Sequence, residues 1–156
     1  DQRGIVFTVS ARLQKKLIEG IRSLDPQVHA RILDAGPDNK EDKLREHAKR
    51  KNSIIFTTSM WQGVDLKGDL SRFQIFPKTP FKSLKDERVK MLEKLDSSWY
   101  YMHTAKVMCQ GYGRSIRSAE DFAHTWILDA AFNGAYSRAK HIYPTWFGEA
   151  LRTVSI

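Results

Sequence analysis

Cysteine is almost absent: Cys109 is the one thiol in the chain. It excludes an intramolecular disulfide, and it excludes any zinc or iron–sulfur site built from several cysteines within this stretch. Long hydrophobic runs are missing too. Apolar stretches are short, as in Ile54-Ile55-Phe56, and nothing approaches the roughly 20 residues of a membrane-spanning helix. No internal repeat and no low-complexity tract occurs. His29, His47, His103, His124 and His141 show no metal-ligand spacing, so no metal site is expected here. The start, Asp1-Gln2-Arg3, has neither an initiating Met nor the apolar core of a signal peptide. The chain is therefore expected to be a piece of a longer protein.

What is present is a globular composition. The 156 residues are 41% apolar and 11% aromatic, enough for one α/β domain with a proper core and too few for two. Lys and Arg number 26 against 18 Asp and Glu, a net charge of +8. That balance favours polyanions, although alone it separates a nucleic-acid binder from a merely soluble basic domain only weakly. Lys40 to Lys51 mixes both signs and reads first as a solvated helix face.

Strand and helix signals alternate. Ile5-Val6-Phe7 is an apolar run typical of a strand covered on both faces. Ser10 caps the following helix, in which Leu13, Leu17, Ile18, Ile21 and Leu24 share one face. Asp25-Pro26 ends it. Val28 to Leu33 reads as a second strand closed by the turn Gly36-Pro37-Asp38-Asn39, and Asp38 with Glu41 as a capping box opening a helix to about Arg50. Ser53 to Thr57 and Arg72 to Phe76 read as strands, Lys85 to Leu95 as a helix, Trp99 to Arg117 as a helix interrupted by Gly111 and Gly113, Thr125 to Leu128 as the last strand and Tyr136 to Ile142 as a terminal helix. The segment from Pro144 has no clear assignment. The pattern predicts an α/β fold with a mainly parallel central sheet flanked by helices, and chemistry beyond the C-terminal ends of the strands.

Two strand ends run from apolar to hydroxyl-bearing: Thr8 and Ser10 after the first, Thr57, Thr58 and Ser59 after the third. Such ends suit phosphate oxygens, and they equally suit helix and turn caps. The loop Ser59 to Asp69 adds Trp61, able to stack on a base or to fold onto the core, and Gly63 and Gly68, where backbone can approach a ligand closely. Asp65 can accept a bond from a sugar hydroxyl or a bridging water. Gln110-Gly111-Tyr112-Gly113-Arg114-Ser115-Ile116-Arg117 is the strongest constellation. On a continuous helix Gln110, Arg114 and Arg117 would share a face, and two guanidiniums could engage one triphosphate. A surface helix with Arg117 paired to Glu120 or Asp121 is the plainer alternative.

Gly4 to Ser10, Thr57 to Asp69 and Gln110 to Arg117 resemble motifs IV, V and VI of the second helicase domain of the XPD/DinG family. Phe76-Pro77-Lys78-Thr79-Pro80-Phe81, Ile127-Leu128-Asp129 with Phe132, and Tyr143-Pro144-Thr145-Trp146 resemble further family elements in the same order. The resemblance covers nearly the whole chain and implies a single RecA-like domain over residues 1–156, the C-terminal motor half of a superfamily 2 DNA helicase. It implies Arg117, Arg114 and Gln110 at the catalytic cleft, with Arg117 the better finger. It implies Gly63, Asp65 and Gln62 near the nucleotide, and Thr8, Ser10, Thr57, Thr58 and Trp61 near DNA.

Departures accompany the resemblance. Gln62 stands where the family commonly has Glu, so a neutral amide replaces a charged acceptor. Ala130-Ala131 precede Phe132 where an Arg is usual. No G-x-x-x-x-G-K-[ST] and no D-E-A-H-like box occurs. ATP and Mg²⁺ are thus expected to be held mainly by an N-terminal RecA-like domain of the same protein, leaving this segment inactive alone. The implied partners are single-stranded DNA, with RNA open, and that domain, but no membrane; the implied location is cytoplasm or nucleoid, or nucleus. A non-catalytic nucleic-acid-binding module, or an ATP-driven translocase that does not unwind, remain alternatives.

Overall fold

A computed structural model describes residues 2–61, 63–116 and 121–154. The chain divides into two compact units, one of residues Asp1–Lys78 with Gln110–Asp129 and one of Thr79–Cys109 with Ala130–Ile156.

The first unit is built on five strands: β1 (Gly4–Phe7), β2 (Ile32–Ala35), β3 (Ile54–Thr57), β4 (Phe73–Phe76) and β5 (His124–Ile127), in the order β2-β3-β1-β4-β5. All four pairings are parallel. β1 and β3 are buried at every position, which is why they carry continuous apolar runs rather than alternation. Parallel pairing needs crossovers, supplied by α1 (Ala11–Leu24), the short α2 (Pro26–His29) and α3 (Lys40–Lys49). On one face Val6, Ile54 and Phe56 form a core against Leu17, Ile18 and Ile21 of α1 and Phe73 and Ile75 of β4. The register places Gly4 beside Phe73, and a methyl group on Gly4 would collide with that ring. The opposite face carries Ile5, Phe7, Ile55, Gln74 and Phe76, by the alternation of side chains along a strand.

Local chemistry explains where elements start. Ser10 caps α1 by accepting from Leu13 N at 3.2 Å. Residues 26–29 are helical rather than the start of the second strand, because the Asp25 carboxylate takes the N–H groups of Gln27 and Val28, both at 3.0 Å, with Pro26 at the first helical position. The strand therefore begins at Ile32. Asn39, not Asp38, stands at the start of α3. Its amide spans the turn, accepting from Gly36 N at 2.8 Å and donating to Asp34 O at 3.2 Å.

The second unit is helical among its described residues. α4 (Glu87–Leu95) is capped by Asp86, and α5 runs over Ser97–Tyr112, its end counting with the first unit. α6 (Ala131–Ala139) passes through a 3-10 turn to α7 (Thr145–Ala150), which supplies the structure of the segment from Pro144. Tyr100 stacks on Phe81 with ring centroids 5.6 Å apart, and Phe132, Tyr136, Tyr143 and Phe147 form an aromatic cluster. No described helix is long and apolar enough to cross a membrane.

Candidate nucleotide and nucleic-acid site

Parallel strands put their C-terminal ends on one edge, and the candidate residues of the first unit gather there. After β1 and β3 the hydroxyls point inward. Thr8 and Thr57 are fully buried. Thr8 Oγ1 donates to Gln14 Oε1 at 2.6 Å and lies 3.1 Å from Thr57 O. Gln14, on the buried face of α1, donates in turn to Asp34 Oδ1 at 2.5 Å. Thr57 Oγ1 accepts Ser59 N at 3.1 Å and so closes the turn after β3. These two hydroxyls knit the strand ends together. Thr58 is half-buried and Ser10 exposed. Gln14 was not legible as a site-edge residue, since a lone polar side chain in an amphipathic helix gives no signal.

In the order β2-β3-β1-β4-β5 the strand sequence reverses between β1 and β4, and in open parallel sheets ligands bind beyond the strand ends at such a point. Phe7 and Phe76, the last residues of those strands, stack there with centroids 5.1 Å apart, and Trp61 lies 4.9 Å from Phe7 and 5.5 Å from Phe76. Trp61 is thus folded onto the core and half-buried. Gly111 lets the end of α5 approach: a Cβ there would stand 3.0 Å from the Phe76 ring and 3.2 Å from Trp61.

Beyond Trp61 the loop alternates. Val64 and Leu66 are buried anchors, and Asp65 between them is exposed. Gly63 adopts φ +72, and the Lys40 ammonium is 3.7 Å from where its Cβ would be. Lys40, which the sequence presents as one charge in a solvated helix, therefore stands beside this loop. Gln62 lies outside the described residues.

The helix expected over Trp99 to Arg117, with interruptions at Gly111 and Gly113, runs unbroken through Gly111 and ends at Tyr112. Gly113 interrupts it, and Arg114 N closes a turn on Gly111 O at 3.0 Å. Gln110 and Arg114 are consequently not on one helical face. Instead the Arg114 guanidinium folds back, donating to Gln110 O and to Val64 O, both at 2.9 Å, while Leu66 N donates to Arg114 O at 3.2 Å. Arg114 and the Val64–Leu66 loop grip each other from both sides. Arg117 lies outside the described residues.

Beneath this turn runs a buried polar network. Gln74, at the middle of β4, donates to Tyr112 O at 3.1 Å and to Ser115 Oγ, and Ser115 Oγ donates to Ser71 Oγ at 2.5 Å. Burial pushes the Tyr112 phenol upward. In the second unit burial likewise pushes the Cys109 thiol upward, which leaves it a poor nucleophile. No cluster of three or more metal-ligating side chains occurs among the described residues. The Lys40 ammonium and the loop backbone at Gly63 suit an anionic ligand's oxygens better than a cation.

A model of the helicase C-terminal domain matches residues 1–150. No curated protein matches the chain. Among solved structures, S. tokodaii Xpd4 is similar with a TM-score of 0.55 at 17% identity, over 93% of this chain and 29% of that one. The chain thus spans under a third of the length of that structure, and the likeness is one of fold, the RecA-like α/β arrangement. With motifs in order along a parallel sheet and a family match over nearly its whole length, the chain belongs to the helicase C-terminal domain family.

Proposed function

We propose that residues 1–156 are the second motor domain of an ATP-dependent DNA translocase or helicase, acting opposite an N-terminal RecA-like domain of the same protein. The observation that carries this reading is the mutual grip of Arg114 and the Val64–Leu66 loop. It joins the stretch resembling motif VI to the stretch resembling motif V, so a ligand felt by one is transmitted to the other through two hydrogen bonds.

In this reading ATP, with Mg²⁺, supplies the phosphoryl group whose transfer drives movement. Arg117 provides the guanidinium that stabilises the charge developing at the transferring phosphorus. Arg114, committed to Val64 O and Gln110 O, holds the loop that presents Asp65. Exposed Asp65 and the backbone at Gly63 face the nucleotide, and Gln62 completes that group by its position in the motif. Lys40, Ser10 and Thr58 meet the backbone of single-stranded DNA. Buried Thr8 and Thr57 keep the strand ends in place for those contacts, and Trp61 supports the loop from below.

The test is ATP hydrolysis by the full-length protein, with and without single-stranded DNA, in wild type and Arg117→Ala. The reading expects DNA-stimulated turnover that falls about 10³-fold or more in the variant, the usual worth of an arginine finger. Turnover indifferent to Arg117 overturns it. DNA binding that never responds to ATP would favour the non-catalytic module.

A further inference from the structure

The buried network under the Tyr112–Ser115 turn has a feature that core packing does not demand. Gln74 sits at the centre of β4, between Phe73 and Ile75, with no exposed surface. A carboxamide in that position is unfavourable unless its hydrogen bonds are made. Here both donors are directed at one place. Both amide N–H groups go to the turn, to Tyr112 O and Ser115 Oγ, while the amide oxygen accepts from Thr125 Oγ1 of β5 at 3.3 Å. The chain of donors then runs from Ser115 Oγ to Ser71 Oγ and from Ser71 Oγ to Phe73 O at 3.2 Å. Ser71 and Ser115 are likewise fully buried. Each hydroxyl donates once and accepts once, so the network has one hydrogen-bond direction and ends on the sheet backbone.

The turn follows the end of α5, contains Gly113 and carries Arg114, with Arg117 two residues beyond Ser115 in the sequence. Arg114 ties it to the Val64–Leu66 loop, and the Gln74 bonds tie the same turn to the sheet. Apolar packing is non-directional and tolerates sliding; two hydrogen bonds from one planar amide do not.

We infer that Gln74 is a positioning residue for the arginine-bearing loop: through Tyr112 O and Ser115 Oγ it sets where Arg114 meets Val64 and where the chain departs toward Arg117. This rests on the proposed motor function.

The experiment compares full-length wild type with Gln74→Leu, Ser115→Ala, Gln74→Leu/Ser115→Ala and Arg117→Ala, reading unfolding midpoint, DNA-stimulated kcat, KM for ATP and affinity for single-stranded DNA. Gln74→Leu is expected to lower kcat about tenfold or more, with KM and DNA affinity within about twofold, because a misplaced transition-state group is lost from kcat rather than from ground-state binding. In the double variant the shared Gln74–Ser115 bond is lost only once, so the stability loss is expected to be smaller than the sum of the two single losses while kcat stays low. Should Gln74→Leu fail to fold, Ser115→Ala carries the same expectation. Recovery of kcat in the double variant, or a folded Gln74→Leu with wild-type kcat, overturns the positioning role while the motor reading stands if Arg117→Ala is dead. Wild-type turnover in Arg117→Ala overturns both.

Discussion

Glycine positions give opposite outcomes for the same substitution, and their surroundings decide the sign. Gly63 has φ +72, and the Lys40 ammonium stands at 3.7 Å from a Cβ there, so Gly63→Ala meets no clash but forces an L-residue into the left-handed region, costing about 1–2 kcal/mol. Gly20, in the middle of α1, would meet nothing within 4 Å, and Gly20→Ala is expected to stabilise the fold by about 0.5–1 kcal/mol. Urea titration of both variants checks the pair; equal shifts would contradict the conformational account. Gly111 is limited by space instead, with Phe76 at 3.0 Å and Trp61 at 3.2 Å from a Cβ. Gly111→Val is expected to destabilise by about 1–3 kcal/mol by overpacking, with a change in tryptophan emission as Trp61 is displaced. An unchanged midpoint and spectrum would count against the Phe7–Phe76–Trp61 arrangement.

Elements carry the pH response. His47 of α3 is fully buried, its Nε2–H donating to Leu70 O at 2.7 Å and its Nδ1 accepting from Ser53 Oγ at 2.9 Å. Burial holds it below the ordinary histidine range, and the Arg3 and Arg50 charges add to that; the Leu70 carbonyl opposes it. The unfolded chain therefore binds the proton more readily than the folded one. Stability is full above about pH 6.5 and declines as the pH falls from there toward the lowered folded value. Denaturation at pH 7.5 and 5.5 should show this loss, reduced in His47→Gln; a remainder is expected from His103, also lowered by burial and by Lys82 and Lys106. An identical pH slope in the variant would refute the assignment to His47. At the start of α1, Ser10 can be tested for a double role. Ser10→Gly keeps most of the capping preference, losing a few tenths of a kcal/mol, so a fall in DNA affinity in that variant would report a lost contact rather than a frayed helix.

At the level of the whole molecule, the net charge of +8 predicts that the proposed binding to single-stranded DNA is salt-dependent. In the full-length protein Lys40→Ala should reduce the slope of log affinity against log salt by about 0.7, one phosphate contact's worth. A slope unaffected by that change would remove Lys40 from the DNA path. The 156-residue chain alone is expected to show no ATP hydrolysis above a buffer control, since the phosphate-cradling sequence is not among its residues. Measurable turnover by the isolated chain would require a different catalytic arrangement.

Much of this was legible in local sequence. Apolar runs at Ile5 and Ile54 determined buried parallel strands because two covered faces leave no place for alternation, and Ser10 and Asp25-Pro26 determined the ends of α1 because capping and proline sterics act within a few residues. The order of motifs determined the family. Other features depend on contacts between residues far apart in the chain, which no local pattern encodes. Asp25 turned residues 26–29 helical, a competition between a cap and strand propensity that the sequence leaves undecided. Gly113 ended α5 before Arg114, so the arginine met Val64 fifty residues away rather than a helical neighbour. Gln74 gave no signal of its own within the strand Arg72 to Phe76; only the fold brings Ser71, Tyr112 and Ser115 around it. Periodicity reports which face is buried, but a buried polar group has meaning only once its partners are known, and those partners are assigned by the tertiary fold.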